Sequence, residues 1–180
     1  KDPERSAEAM TADGYFRTGD LGSFDEKGRL FVRGRLKTMI LGASGENIYP
    51  EEVEAVLNSS PYVAESLVYG DAEGLTALVQ LKPEIVEELA SCVKEGVVGA
   101  EKAAARFGQA MGQAVRHAIS HADSAEQATA QLLERIKKES NEKLSGFSRI
   151  RKVERQPVPF EKTPTQKIKR FLYPKNAENN

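Results

Sequence analysis

The apolar positions along the 180-residue chain change their spacing twice. Over residues 15–41 they come in short bursts: Tyr15 and Phe16, then Leu30, Phe31 and Val32, then Met39, Ile40 and Leu41. Aromatic and β-branched side chains in runs this short predict strands, and Asp25-Glu26-Lys27-Gly28 predicts a hairpin turn between two of them. Pro50, Glu51 and Glu52 predict a helix start, because proline's fixed φ suits the first turn and carboxylates suit the positive end of a helix. Val53, Val56 and Leu57 give that helix one apolar face. Residues 63–69 and 75–81 read as two strands joined through Gly70-Asp71-Ala72-Glu73-Gly74, so helix and strands together predict a compact α/β layer.

From residue 83 to 144 the texture turns alanine-rich, with apolar side chains four apart. Ala103, Phe107, Met111, Val115 and Ile119 share one helical face, and Leu132, Leu133, Ile136 and Leu144 predict a second long helix. Asp123-Ser124 predicts the break and cap between them. This stretch is expected to be a helical hairpin inserted into the α/β layer over about 84–142. Residues 149–153 then return as a strand, 157–160 form an extended connector, and a loop at 162–165 precedes a short basic helix over 166–173.

Composition changes the picture in one respect. At 39% hydrophobic and 29% charged the chain can build a core, and no apolar run approaches the ~20 residues that cross a bilayer. The lone Cys92 forms no internal disulfide and points to a reducing compartment. The net charge of -1 argues against a general polyanion or nucleic-acid binder, but it hides an asymmetry. Residues 143–180 carry 10 Lys and Arg against 3 Asp and Glu, and residues 1–142 carry 16 against 24. A basic C-terminal end favours anions. The first residues form no signal peptide and suggest a piece of a longer chain, and the polar residues 176–180 read as a frayed end. His117 and His121 stand four apart on a predicted helix; without a third ligand nearby they read as exposed histidines, and no metal site is assigned.

Three separated segments carry candidate chemistry. They are Gly14-Tyr15-Phe16-Arg17-Thr18-Gly19-Asp20; Gly34-Arg35-Leu36-Lys37-Thr38-Met39-Ile40 with Ser44-Gly45-Glu46-Asn47-Ile48-Tyr49-Pro50-Glu51-Glu52-Val53-Glu54; and Thr163-Pro164-Thr165-Gln166-Lys167-Ile168-Lys169-Arg170. In this order they resemble the C-terminal region of an acyl-CoA synthetase of the AMP-binding, adenylate-forming superfamily, and the 159–165 phrase is most similar to long-chain fatty acid–CoA ligases. The resemblance implies a small α/β (α+β) C-terminal domain with a three-stranded sheet over residues 37–175. Residues 1–36 would then be a β hairpin from the tail of the large N-terminal domain, which is the implied partner. It also implies ATP, Mg and coenzyme A as substrates and metal, fatty acid as acyl donor, and a cytoplasmic location with room for peripheral membrane contact.

The same resemblance implies the residue roles. Asp20 and Arg35 would hold the ribose of ATP and AMP, Lys37 would be the hinge, and Gly42, Ser44, Gly45, Glu46 and Asn47 would line the coenzyme A channel. Lys167 would be the catalytic lysine of adenylation, with Gln166 standing where the family usually has glycine. Some relatives carry a lysine where this chain has Leu41, so no catalytic cation is assigned there. The residues alone leave blander alternatives: Asp20 as a turn aspartate held by local amides, Arg35 in a surface ion pair, and Lys162, Lys167, Lys169, Arg170 and Lys175 as a solvated basic patch. Two other functions share these residues, an adenylation domain that loads a carrier protein and a non-enzymatic helical, basic interaction module.

Overall fold

The computed structural model describes residues 2–42, 44–71, 73–95, 101, 105, 108–119 and 122–173. They form two compact units, Lys1–Glu52 and Val53–Asn180. The first unit opens with helix α1 (Pro3–Glu8) and is organised by a hairpin of β1 (Asp20–Phe24) and β2 (Leu30–Arg35). The predicted turn closes it: the Asp25 carboxylate accepts hydrogen bonds from the Lys27 and Arg29 amides, each at 2.9 Å, and Gly28 takes the left-handed φ of 73° that such a turn needs. The aromatic run at 15–18 makes no strand. Phe16 forms one isolated bridge with Met10.

A second, smaller hairpin follows, with β3 (Ile40–Leu41) paired antiparallel to β4 (Asn47–Ile48). The predicted strand-to-helix loop is therefore a strand-to-strand loop, and helix α2 (Pro50–Asn58) starts just after β4. The boundary between the two units falls inside α2.

The second unit holds a three-stranded sheet in the order β5 (Val63–Asp71), β6 (Gly74–Leu81), β7 (Ile150–Arg155). β5 and β6 are antiparallel and joined by a tight turn. There the Asp71 carboxylate accepts from the Thr76 hydroxyl at 2.7 Å and from the Glu73 and Gly74 amides, which hold it below the usual carboxylate range in that order. β6 and β7 are parallel. Parallel neighbours need a crossover, so the helical stretch between them is the connection the sheet requires as well as an added layer. It contains α3 (Pro83–Glu95), α4 (Gln109–Ile119) and α5 (Ala125–Asn141), which pack on one another, with α5 also packing on β7.

The predicted cap is present. Ser124 accepts from the Gln127 amide at 3.2 Å, while the Gln127 side chain accepts from the Asp123 amide at 2.7 Å. The four-apart series on the first predicted helix does not trace one unbroken helix, because it runs through Gly108 at φ 92°. Ala103, Phe107, His121 and the side chain of Met111 lie outside the described residues. Val53, Leu57, Leu67, Val79, Ile85, Leu89, Leu132 and Ile136 are almost fully buried and make up much of the core.

Side chains engage the backbone of both outer strands of the sheet. On β7 the Asn141 amide group bonds the Ile150 N–H and C=O at 2.8 and 2.9 Å, as a neighbouring strand would. On β5 the N–H of Val68 donates to Glu54 at 2.7 Å.

Candidate functional site

Asp20 and Arg35 occupy the last register pair of the β1–β2 hairpin, which brings residues 15 apart in sequence face to face. A bulge between Leu21 and Gly22 adds the extra twist common at such ends. Arg35 Nε lies 2.8 Å from Asp20 Oδ1, with both side chains partly exposed. Asp20 thus differs from Asp25. The turn aspartate is saturated by its own loop, whereas the carboxylate of Asp20 is held by the cross-strand guanidinium and none of its own turn's amides bonds it. Gly19 before it takes φ 74°, and its carbonyl accepts from the Leu36 amide at 2.9 Å. Arg35 is in the surface ion pair that its residue type alone allowed.

Lys37 is exposed in the turn after β2, where the Thr38 and Met39 amides both converge on the Arg35 carbonyl at 3.1 Å. The Thr38 hydroxyl donates to Glu51 at 2.8 Å, fixing the far side of that turn. Gly34 allows a close approach: a Cβ there would sit 2.9 Å from a Glu51 carboxylate oxygen.

The loop between β3 and β4 is tied across its base by Gly42 N–H to Glu46 C=O at 2.7 Å, with Gly45 N–H reaching Gly42 C=O at 3.0 Å. Gly45 has φ 88° and nothing within 4 Å of its missing Cβ, so conformation, not crowding, selects glycine there. At Gly42 a Cβ would sit 2.8 Å from a Glu46 carboxylate oxygen, the movable end of a side chain, and 3.3 Å from the Glu46 carbonyl oxygen, so the backbone passes close there. Ser44, Gly45 and Asn47 are exposed, and Gly42 and Glu46 are half-buried.

Lys167 lies on a tight β-like loop, not on the predicted basic helix. Lys162 and Ile168 bridge antiparallel; Thr163 N–H donates to Lys167 C=O at 2.8 Å, Gln166 N–H to Thr163 C=O at 2.9 Å, and Lys167 N–H to the Thr163 hydroxyl at 3.2 Å. The reversal is made at Gln166, whose φ of 62° makes it the one non-glycine residue in left-handed backbone among the described residues. That conformation is the physical reason a glycine suits this position. Among the described residues nearby, the helical turn is a 3-10 turn at Arg170–Leu172.

The basic patch expected around Lys167 is largely neutralised. Lys162 pairs with Glu65 at 2.7 Å, Lys169 with Glu161 at 3.2 Å, and Arg170 with Glu54; Lys175 lies outside the described residues. Lys167 is exposed, and no carboxylate among the described residues pairs with it. Glu54 and Arg170, part of the motifs but given no role by them, emerge as an ion pair between a buried carboxylate and a half-buried guanidinium. Sequence offers no signal for it, because the partners are 116 residues apart.

His117 is exposed, and no group of three or more His, Cys, Asp or Glu among the described residues could hold a metal ion. Cys92 is fully buried, and burial, followed by the nearby Glu88 carboxylate, pushes its thiol up to about 11. It is not a nucleophile at neutral pH. Among the described residues no helix is long and apolar enough to cross a membrane.

No family model matches the chain. It is 34% identical over 178 residues, 94% of its length, to a peroxisomal acyl-CoA ligase of Penicillium roqueforti. It is also 40% identical over 88 residues, 48% of its length, to the long-chain-fatty-acid–CoA ligase FadD15 of Mycobacterium tuberculosis. The chain spans 24% of the first relative and 14% of the second. Its fold matches that of the adenylation domain of a carboxylate reductase from Mycobacterium chelonae, with a TM-score of 0.66, 23% identity, and 96% of this chain and 23% of that one covered. Motif order, sequence similarity and fold agree that this chain is homologous to the C-terminal region of AMP-binding acyl-CoA synthetases, within the adenylate-forming superfamily.

Proposed function

We propose that the chain is the C-terminal part of an ATP-dependent ligase that activates a fatty acid, of the long-chain class, as an acyl-adenylate and transfers it to coenzyme A. The observation that carries this reading is Lys167: an ammonium with no carboxylate partner among the described residues, at a rigidly hydrogen-bonded loop, flanked by cations that are each occupied by a carboxylate.

In the first half-reaction a fatty-acid carboxylate oxygen attacks the α-phosphorus of ATP, a new P–O bond forms, and pyrophosphate leaves with the electrons of the broken one. Negative charge gathers between two anions as they meet. A lysine ammonium on a flexible stem is suited to bridge them, and it contributes most when water is excluded. In the second half-reaction the thiolate of coenzyme A attacks the acyl carbonyl and AMP departs. Asp20 can accept a ribose hydroxyl through the carboxylate oxygen that Arg35 does not hold, and Arg35 keeps that carboxylate oriented. Mg²⁺ would neutralise triphosphate charge, and we assign none of its ligands to this chain.

On this reading residues 1–36 close the large domain and residues 37–175 form the mobile one, with Lys37 as the pivot. Phe24, Leu30 and Val32, which are 72%, 59% and 68% exposed, fit a hairpin whose apolar face is covered by the rest of the large domain. The Gly45 loop would approach the thiol substrate in the second half-reaction, because a chain without side chains at Gly42 and Gly45 can pass close to pantetheine. The lone, buried Cys92 suits a reducing, cytoplasmic setting. The 180-residue chain by itself is expected to form no acyl-adenylate, since the triphosphate loop and acyl pocket belong to the large domain.

The test is the split between half-reactions in the full-length ligase. Lys167→Ala should lower palmitate-dependent ATP–pyrophosphate exchange by about 10²–10³-fold, the loss expected when one preorganised charge partner is removed. Supplied palmitoyl-adenylate should still react with coenzyme A. Equal loss of both halves refutes the assignment, and preferential transfer to a carrier-protein thiol would replace coenzyme A as acceptor.

A further inference from the structure

The Glu54–Arg170 pair has a geometry that ordinary stability does not require. Glu54, on α2, is only 8% exposed. One of its oxygens accepts the Val68 N–H at 2.7 Å and the other binds the Arg170 guanidinium, whose second nitrogen approaches the Val68 carbonyl at 3.4 Å. Both backbone groups of one edge-strand residue are thereby engaged by a single ion pair. Glu54 is taken out of water and Arg170 is half-buried, which is costly, and well-packed apolar side chains of similar volume are often at least as stabilising. What apolar side chains cannot supply is a fixed direction: the planar guanidinium reaches two acceptors at once and so orients the backbone that bears it.

That backbone is the one leaving Lys167. Ile168 is half-buried against the Leu67, Tyr69, Leu78 and Phe160 cluster, Lys169 N–H donates to Glu161 C=O at 2.8 Å, and Arg170 is then locked to α2 and β5. The entering strand is fixed as well, because Lys162 pairs with Glu65, also on β5. Both stems of the loop are therefore anchored to the same strand.

We propose that Glu54 and Arg170 are positioning residues that set the place and direction of Lys167 for adenylation; the inference rests on the adenylation role proposed for Lys167. Neither side chain touches the reacting atoms. They act by holding the stem of the loop, so that the ammonium reaches the same point each time the unit carries it to the substrate.

The experiment compares Glu54→Gln, Arg170→Lys and Arg170→Met in the full-length ligase, with palmitate, ATP and Mg²⁺ as reactants. Glu54→Gln keeps an acceptor for the Val68 N–H and removes the charge that holds Arg170. It should lower kcat for ATP–pyrophosphate exchange by about 10- to 100-fold, the scale of a 1 Å misplacement, without raising the KM for ATP. The reaction of palmitoyl-adenylate with coenzyme A should be unaffected. Arg170→Lys, which preserves the charge and the fold, should retain more exchange activity than Arg170→Met. In a Lys167→Ala background Glu54→Gln should add no further loss, because what it orients is gone. Equal loss in both half-reactions, or full additivity with Lys167→Ala, overturns the proposal by making the pair merely structural. Wild-type exchange in Lys167→Ala alone would instead remove the adenylation reading on which the proposal stands.

Discussion

Replacing Gln166 by glycine and by valine separates the backbone cost of the Lys167 loop from its side-chain contacts. At φ 62° the residue sits in left-handed backbone, which costs an L-residue about 1–2 kcal/mol relative to glycine. Glycine removes that cost but gives the open chain more freedom, worth about 0.4–1 kcal/mol in the other direction. The net gain should lie between about zero and 1.5 kcal/mol. Valine, branched at Cβ, belongs at the upper part of the about 1–3 kcal/mol range for strained backbone and should destabilise the loop by about 1–2 kcal/mol. The assay is native-state amide exchange at positions 163 and 166, whose N–H groups donate to Lys167 and Thr163 carbonyls at 2.8 and 2.9 Å. With about 1.4 kcal/mol per tenfold, valine should speed their exchange by roughly 5- to 30-fold, and glycine should leave it equal or slow it by up to about tenfold. The Val79 amide in β6 serves as the internal reference and should not move. If the valine variant exchanges no faster than the parent, the loop does not reverse at Gln166 and the explanation of the family's glycine fails.

Two further outcomes follow from the described contacts. The folded Cys92 thiol keeps its proton up to about pH 11, whereas an unfolded thiol loses it near its ordinary value of about 8.5. The unfolded chain therefore binds fewer protons between these values, and stability should fall as pH rises from about 9 to 11 by at most about 3 kcal/mol. Denaturant melts should show a shallower slope in Cys92→Ala, and an identical slope would contradict the burial argument. Asn141→Leu removes both bonds to Ile150 at nearly constant volume and should cost about 1–3 kcal/mol, seen as a lower Tm; an unchanged Tm would mean that water replaces the amide without loss.

Local chemistry made much of this fold readable before any coordinates. The Asp25 turn, the Pro50 helix start, the Ser124 cap and the two strands around Asp71 each depend on neighbours within a few residues. What escaped depends on distance or on a single dihedral. Parallel pairing of β6 with β7 joins segments some 70 residues apart, and no periodicity encodes it. The two-residue strands β3 and β4 are too short to show alternation, and Gly108 interrupts a helical series whose spacing continues through it. The basic segment after Thr165 has helical composition, yet the left-handed turn at Gln166 and the bridge from Lys162 to Ile168 delay any helical turn until the 3-10 turn at Arg170–Leu172. In the candidate site, motif order located Asp20, Arg35 and Lys167. Only the hairpin register showed the first two facing each other, and only the folded sheet showed which cations near Lys167 are already neutralised.

The amide and carboxylate groups at the margins of the three-stranded sheet have a consequence outside catalysis. A sheet this small, with strands rich in valine and leucine, is a template on which a stray strand from another molecule could grow. Asn141 occupies the place of such a strand at Ile150, and Glu54 with Arg170 does so at Val68. Side chains of the same molecule thus take up these two growth points. Their loss would first be felt as a tendency of concentrated protein to polymerise by edge-to-edge pairing, even under conditions where most molecules remain folded.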